Sequence, residues 1–260
     1  MPTAAAGRTG RKNPREIEVH GVARLDRDRG RRVGVPEVIL GEGKSVHHLE
    51  AIVRVLAARG LGAIISRITP AQRRALEAAA RSGLPLRPLA HGRLYRLAGP
   101  LGVSYHRGRV ALLTAGTSDV PLADECGALL TELGISVASA HDVGVAGIHR
   151  LMRALERLEQ RRPDLYIVFA GREGALPTVV AGLVRAPVIG VPTSVGYGRG
   201  GRGEAALAAM LQSCAPIAVV NIDAAVPAAL FAAQRFAVRP ARRPGTRGRR
   251  SPGRRPYRPP

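Results

Sequence analysis

The chain has 260 residues, of which 45% are apolar and 3% aromatic, and a formal net charge of +21. That length and apolar content suit one large core or two modest ones, and no apolar run reaches the roughly 18 residues a spanning helix needs. Two Cys argue against a disulfide framework and fit a reducing, cytoplasmic setting, and the basic N-terminus lacks the apolar stretch of a secretory leader.

The charge sits mostly at the ends. Residues 239–260 carry nine Arg and no acid, and residues 1–32 carry nine Arg or Lys against four acids. The Arg/Pro-rich tail, 239–260, is expected to be a disordered, solvated extension with non-specific affinity for RNA or acidic surfaces. Such a tail says little about the domain that carries it.

Residues 1–16 are expected to be a disordered basic N-terminus. Charges of both signs alternate from Val19 to Arg32, compatible with a short exposed helix or strand. Residues 17–105 read as a small N-terminal α/β domain. It contains a strand at Val38 to Leu40, a helix at Val46 to Ala58 and a strand at 62–66. Leu49, Ile52, Val53 and Leu56 give that helix one apolar face. A second helix opens at Thr69-Pro70, with Pro inside the first turn. The Pro- and Gly-rich stretch from Leu84 to Pro100 closes the unit. Gly41-Glu-Gly-Lys-Ser45 lacks the full phosphate-loop spacing. Lys44 therefore reads equally as part of a plain strand–helix turn or as a phosphate contact at a helix N-terminus.

Residues 106–238 alternate strand and helix. Short apolar strands at Val110 to Leu113, Ile135 to Ala138, Leu165 to Phe169, Pro187 to Val191 and Ile217 to Val220 are each followed by a helical pattern. This predicts a parallel sheet with helices on both faces, a three-layer α/β domain. Three strands lead into distinctive loops: Thr114-Ala-Gly-Thr-Ser-Asp119, Ser139-Ala-His-Asp142 and Ala170-Gly-Arg-Glu-Gly-Ala-Leu-Pro177. Loops at the carboxyl ends of parallel strands converge on one crevice, so these three mark the expected site. Gly196 to Gly203, rich in Gly and Arg, reads as a mobile loop.

Those signatures, with Pro187-Val-Ile-Gly-Val-Pro192 and Ala229-Leu-Phe-Ala-Ala-Gln234, resemble the aminoimidazole ribonucleotide (AIR) carboxylase superfamily, whose fold is PurE- or flavodoxin-like. Two departures stand out: Asp142 occupies the place of that family's Arg after His, and Glu173 replaces its Ala. The departures, together with Arg32-Val-Gly-Val-Pro-Glu-Val-Ile-Leu-Gly-Glu-Gly-Lys-Ser45, His141-Asp-Val-Gly-Val-Ala-Gly-Ile-His-Arg150 and Met210-Leu-Gln-Ser-Cys-Ala215, resemble the LarB family of nickel-pincer cofactor biosynthesis. That resemblance implies carboxylation of nicotinate adenine dinucleotide by carbon dioxide or bicarbonate. It also implies hydrolysis of the pyrophosphate, giving pyridinium-3,5-dicarboxylate mononucleotide and AMP, and a homo-oligomer, an octamer by likeness to PurE. The alternative is an AIR carboxylase or mutase of purine biosynthesis.

The implied chemistry sets requirements on the residues. A pyridinium ring is electron-poor, so a nucleophile must first add to it and create an enamine able to attack carbon dioxide. A thiolate adds and leaves readily. Cys126 falls on the apolar face of a helix and reads as a small core residue. Cys214 follows a helix and precedes a strand, and the resemblance makes it the expected nucleophile. Because it precedes its strand, it needs either a folded-back chain or a neighbouring subunit to reach the loops. Glu173 is a candidate general base, or else an acid favoured by a helix N-terminus. His141 matches the carboxylase family's acid–base histidine, and Asp142 is placed to orient Arg150 or a ribose. Gly116, Thr117, Ser118, Asp119 and Gly171 are expected to hold the nucleotide, although Ser118 and Asp119 also suit a helix cap. No cofactor is expected to be required covalently. No His/Cys cluster has zinc spacing, and magnesium carried by the pyrophosphate is compatible with the chemistry.

Overall fold

The computed structural model describes residues 16–238 apart from positions 20 and 27. Both ends expected to be disordered lie outside the described residues, save Glu16, which opens a strand. The charge-alternating stretch forms a hairpin of β1 (Glu16–Val19) and β2 (Ala23–Asp26), followed by the short helix α1 (Arg29–Val33). Ile17 and Val19 are buried while Glu16 and Glu18 are exposed, the period-two pattern of a strand with one dry face.

β3 (Val38–Leu40), α2 (Val46–Ala58), β4 (Ala63–Ser66) and α3 (Pro70–Arg81) follow the expected pattern. Leu49, Ile52, Val53 and Leu56 of α2 are buried, as their spacing predicts. Thr69 and Gln72 form a reciprocal capping box that starts α3. The Pro- and Gly-rich stretch that closes the unit, residues 84–100, contains a second hairpin that the sequence reading did not assign, β5 (Leu86–Leu89) and β6 (Leu94–Leu97). These strands complete a mixed sheet of order β3-β4-β6-β5. Pro88 obscured them; it is tolerated because β5 is an edge strand, where a missing N–H need not break a ladder.

The second sheet is the expected parallel one. β7 (Arg109–Thr114), β8 (Ser136–Ala140), β9 (Leu165–Ala170), β10 (Val188–Pro192) and β11 (Ile217–Val219) lie in the order β8-β7-β9-β10-β11, and every pairing is parallel. Between and after them come α4 (Val120–Glu132), α5 (Ile148–Glu159), α6 (Leu176–Ala181), α7 (Glu204–Leu211) and α8 (Ala225–Gln234). Alternate residues of a strand serve opposite faces. Val110 and Leu112 of β7 pack in the cluster containing α4 and α8, whereas Ala111 and Leu113 pack in the cluster containing α5, α6 and α7.

The mixed sheet is joined to the α4 side. Ile64 and Leu94 enter the same apolar cluster as α4 and α8. Glu132 of α4 meets the guanidinium groups of Arg87 and Arg96, and Glu125 meets that of Arg93. Tyr105, in the connecting segment, donates its hydroxyl to Gly34 O at 3.0 Å and bridges Ala237. The strand order matters most for function. From β7 the chain moves outward to β8, then crosses back to β9 on the other side. Connections leave β7 and β9 in opposite directions, which opens a crevice at their carboxyl ends.

Candidate active site

The crevice is real and is built mainly from the expected loops. A cavity of about 590 Å³ at the carboxyl ends of β7 and β9 is lined by Gly116, Ser118, Asp119, Arg150, Gly171 and Glu173, among others. Its size falls within the range of small-molecule sites. Thr117, exposed on the same turn, is not among the lining residues.

The turn after β7 is held by Asp119. Gly116 N donates to Asp119 Oδ2 at 2.9 Å, and Thr193 Oγ1 donates to Asp119 Oδ1 at 2.7 Å. Asp119 is 3% exposed, and burial raises its carboxyl above the ordinary value, while the two hydrogen bonds pull it down. It is therefore first an organiser of the loops, with its carboxylate oxygens turned to protein partners.

The loop after β8 is stitched to the same turn. Asp142 N donates to Thr114 Oγ1 at 3.2 Å, and Gly144 N donates to Ala115 O at 2.9 Å. A Cβ at position 144 would sit 2.8 Å from Ala115 O, so only Gly allows this approach. Asp142 adopts a left-handed conformation, φ 55°, and its carboxylate accepts from Arg150. The expected orientation of Arg150 by Asp142 is thus present. The guanidinium lines the cavity.

The loop after β9 presses against the segment after β10. A Cβ on Gly171 would lie 2.1 Å from Val195 O, which demands Gly at that position. The guanidinium of Arg172 lies 4.7 Å from the ring centroid of Tyr197, a cation–π contact that joins these two segments at the rim. Glu173 is exposed and borders the cavity.

Three expected site residues lie elsewhere. His141 is exposed and does not line this cavity. Lys44 donates its ammonium to Leu40 O at 2.8 Å, back into its own loop, while Ser45 Oγ caps α2 by accepting from His48 N. Cys214 is exposed between α7 and β11, at the amino end of a strand parallel to all the others. The signature loops leave the carboxyl ends, so a single chain separates Cys214 from them by roughly 15–20 Å of strand length. Cys126 is fully buried, and burial pushes its thiol far upward.

The loop after β10 was missed as a contributor. Val195 and Tyr197 line the site, and Thr193 holds its Asp119, because β10 neighbours β9, a fact of strand order rather than of local sequence. The only local hint was a polar Thr193-Ser194 pair directly after an apolar strand.

Comparison with known proteins gives the family. The family model for AIR carboxylase matches residues 109–243, and that for a LarB/PurE-like N-terminal domain matches residues 17–91. The chain belongs to the AIR carboxylase family. An uncharacterized protein of Methanocaldococcus jannaschii is 39% identical over 83% of this chain and 84% of its own length. N5-carboxyaminoimidazole ribonucleotide mutases are more distant: that of the same organism is 30% identical over 50% of this chain and 80% of its own length, and that of Pyrococcus horikoshii 33% over 47% and 69%. A crystal structure of Treponema denticola PurE covers 50% of this chain and 88% of PurE, at 24% identity and a TM-score of 0.40. The family is one of carboxylase- and mutase-type enzymes, and the cavity lies within the matched region.

Proposed function

We propose that this chain carboxylates the pyridinium ring of nicotinate adenine dinucleotide and hydrolyses its pyrophosphate. The products would be pyridinium-3,5-dicarboxylate mononucleotide and AMP, the first step of nickel-pincer cofactor biosynthesis. The observation that carries this reading is the contrast between the two thiols. Cys126 is sealed in the core, whereas Cys214 is exposed on a short loop and free of any disulfide. An AIR mutase has no use for an accessible thiol.

In this reading the Cys214 thiolate adds to the ring and turns the pyridinium into an enamine. The ring carbon β to nitrogen then forms a bond to carbon dioxide. Glu173 removes the proton from that carbon, and the electron pair expels the thiolate and restores the aromatic ring. Gly116, Ser118 and Gly171 bring backbone and hydroxyl groups to the nucleotide, and Arg150, held by Asp142, supplies positive charge to a carboxylate or phosphate. Magnesium would arrive with the pyrophosphate, whose oxygens suit a hard cation.

Because one chain keeps Cys214 at the opposite end of its sheet, the thiol is supplied by a neighbouring subunit of a homo-oligomer. Mass spectrometry of the protein mixed with the dinucleotide tests the nucleophile directly. A ligand-sized adduct on the Cys214 peptide is expected; full turnover by Cys214→Ser would end the thiolate mechanism and favour the AIR mutase reading. Mixing Cys214→Ser with Glu173→Gln subunits tests the shared site, with recovery of about a quarter of wild-type activity expected from random assembly.

A further inference from the structure

The parallel sheet has a second end, and the reaction draws on only its β11 corner. At that end, before the first residues of β7, β8 and β9, the loops form a concavity of about 740 Å³ lined by Arg107, Arg109, Thr131, Ser136 and Asp164, among others. Because every pairing in the sheet is parallel, this concavity lies at the opposite end from the catalytic crevice. Cys214 precedes β11, which is separated from β9 by β10 and forms the far edge of the sheet. A neighbouring subunit that takes the thiol therefore meets a different part of this end.

Arginine dominates the face. Arg107, Arg109, Arg161, Arg162 and Arg235 are all exposed. Arg161 and Arg162 sit in the turn between α5 and β9, where their N–H groups donate back to Leu158 O and Glu159 O. Arg109 Nη2 donates to Asp164 Oδ1 at 3.0 Å, and the charge of Arg235 reaches the same carboxylate. Glu159, the other acid beside this turn, accepts from the Tyr166 hydroxyl. Among the described residues, Arg107, Arg161, Arg162 and Arg235 carry no ion pair and no side-chain hydrogen bond. The chain leaves the described residues here too. Phe236 O accepts from His106 N, and Val238 N donates to Ser104 O, beside the segment that leads into β7. Residues 239–260 then add nine Arg and no acid.

We infer that this face binds the phosphate backbone of a nucleic acid. The chain cannot neutralise the face itself, because the residues that follow Val238 are basic and a second copy would bring the same sign of charge. The arginines come from the segment before β7, the turn before β9 and the end of α8, a spread that suits a run of phosphates rather than one small anion. Ile135, the large apolar residue of the lining, is 2% exposed. The concavity therefore offers no apolar anchor for a bilayer and no stacking platform for unpaired bases. Guanidinium groups with the exposed Ser136 hydroxyl beside them suit a duplex backbone, without readout of the bases.

Fluorescence anisotropy of the full chain with a labelled RNA duplex of about 20 base pairs, over a salt series, tests this. Arg107→Gln, Arg161→Gln and Arg235→Gln combined should weaken binding by about tenfold or more and flatten the salt slope by about 2–3. An unchanged slope would assign binding to residues 239–260 alone and overturn the face. Tighter binding to phosphatidylserine vesicles than to the duplex would overturn the nucleic acid in favour of a membrane. The same duplex made of DNA identifies the source of the backbone. Equal affinity upholds recognition of phosphates alone, and a preference for RNA upholds it with the 2′-hydroxyl as an added contact. Hydrogen exchange on the unaltered chain gives an independent reading: the duplex should slow exchange at residues 104–109 and 160–164. Slowing confined to the loops of the catalytic crevice would overturn the proposal.

Discussion

Thr193 Oγ1 donates a 2.7 Å hydrogen bond to Asp119 Oδ1 across 74 residues of sequence, tying the turn after β7 to the segment after β10. The bond spans the crevice behind the carboxyl end of β9. With Gly116 N on the other carboxylate oxygen, Asp119 fixes two walls of the cavity at once. Replacement by Ala strands both donors in a buried place and should cost about 2–4 kcal/mol. Asp119→Asn can keep both contacts, its oxygen accepting from Gly116 N and its amide donating to Thr193 Oγ1. The carboxyl is raised above 3.8 mainly by burial. The folded chain therefore holds the proton more tightly than the unfolded one. Asp119 contributes stability that is present in acid and lost as pH rises from about 4 through the raised value. Urea titrations at several pH values should show Asp119→Asn gaining on the wild type as pH rises; parallel curves would contradict this sign.

The two cysteines should separate cleanly. Cys126→Ser places a hydroxyl in a fully buried apolar cluster and should lower stability by about 1–3 kcal/mol, while kcat measured at low temperature stays near wild type. Cys214→Ser, at an exposed position, should leave the urea midpoint unchanged and remove carboxylation. The reverse assignment of these effects would mean the wrong thiol has been named.

Arg150 and Asp142 form a half-exposed pair. Such a pair contributes at most about 1 kcal/mol to stability, so its value lies in holding the guanidinium at the cavity. Arg150→Ala should raise KM by about tenfold or more with a smaller change in kcat. Asp142→Asn tolerates the left-handed backbone and retains an acceptor, and should show an intermediate KM. An unaltered KM in both variants would remove the pair from substrate binding.

Glu132 is 14% exposed and meets both Arg87 and Arg96 across the seam between the sheets. Glu132→Ala should destabilise the fold by about 1 kcal/mol, since Arg87 is exposed to water and Arg96 still donates to Leu97 O and Gly99 O. Glu132→Gln should recover part of that loss. Hydrogen exchange should report the damage first in β5 and β6, which are otherwise an edge hairpin. Uniform exchange changes would show that the seam is held elsewhere.

The amino-acid sequence determined the parallel α/β unit almost entirely. Apolar runs of strand length alternate with helical patterns from Arg109 onward; the central β7, β9 and β10 are buried on both faces, whereas the edge strands β8 and β11 are partly exposed. It also indicated which loops face the crevice, since Gly116, Ser118, Asp119, Arg150, Gly171 and Glu173 line it. The β5–β6 hairpin was hidden because strands of four residues with Arg and Pro between Leu carry little periodic signal. Only the tertiary structure decided the partners. Strand order placed Thr193 against Asp119 and brought Tyr197 to the rim. The packing of the first sheet on α4 made a cleft that no local pattern announces. Polarity of the parallel strands put Cys214 at the far end of the sheet from its expected substrate. A thiol's place in the sequence names a candidate nucleophile, but the direction in which its strand runs decides whose crevice it can serve.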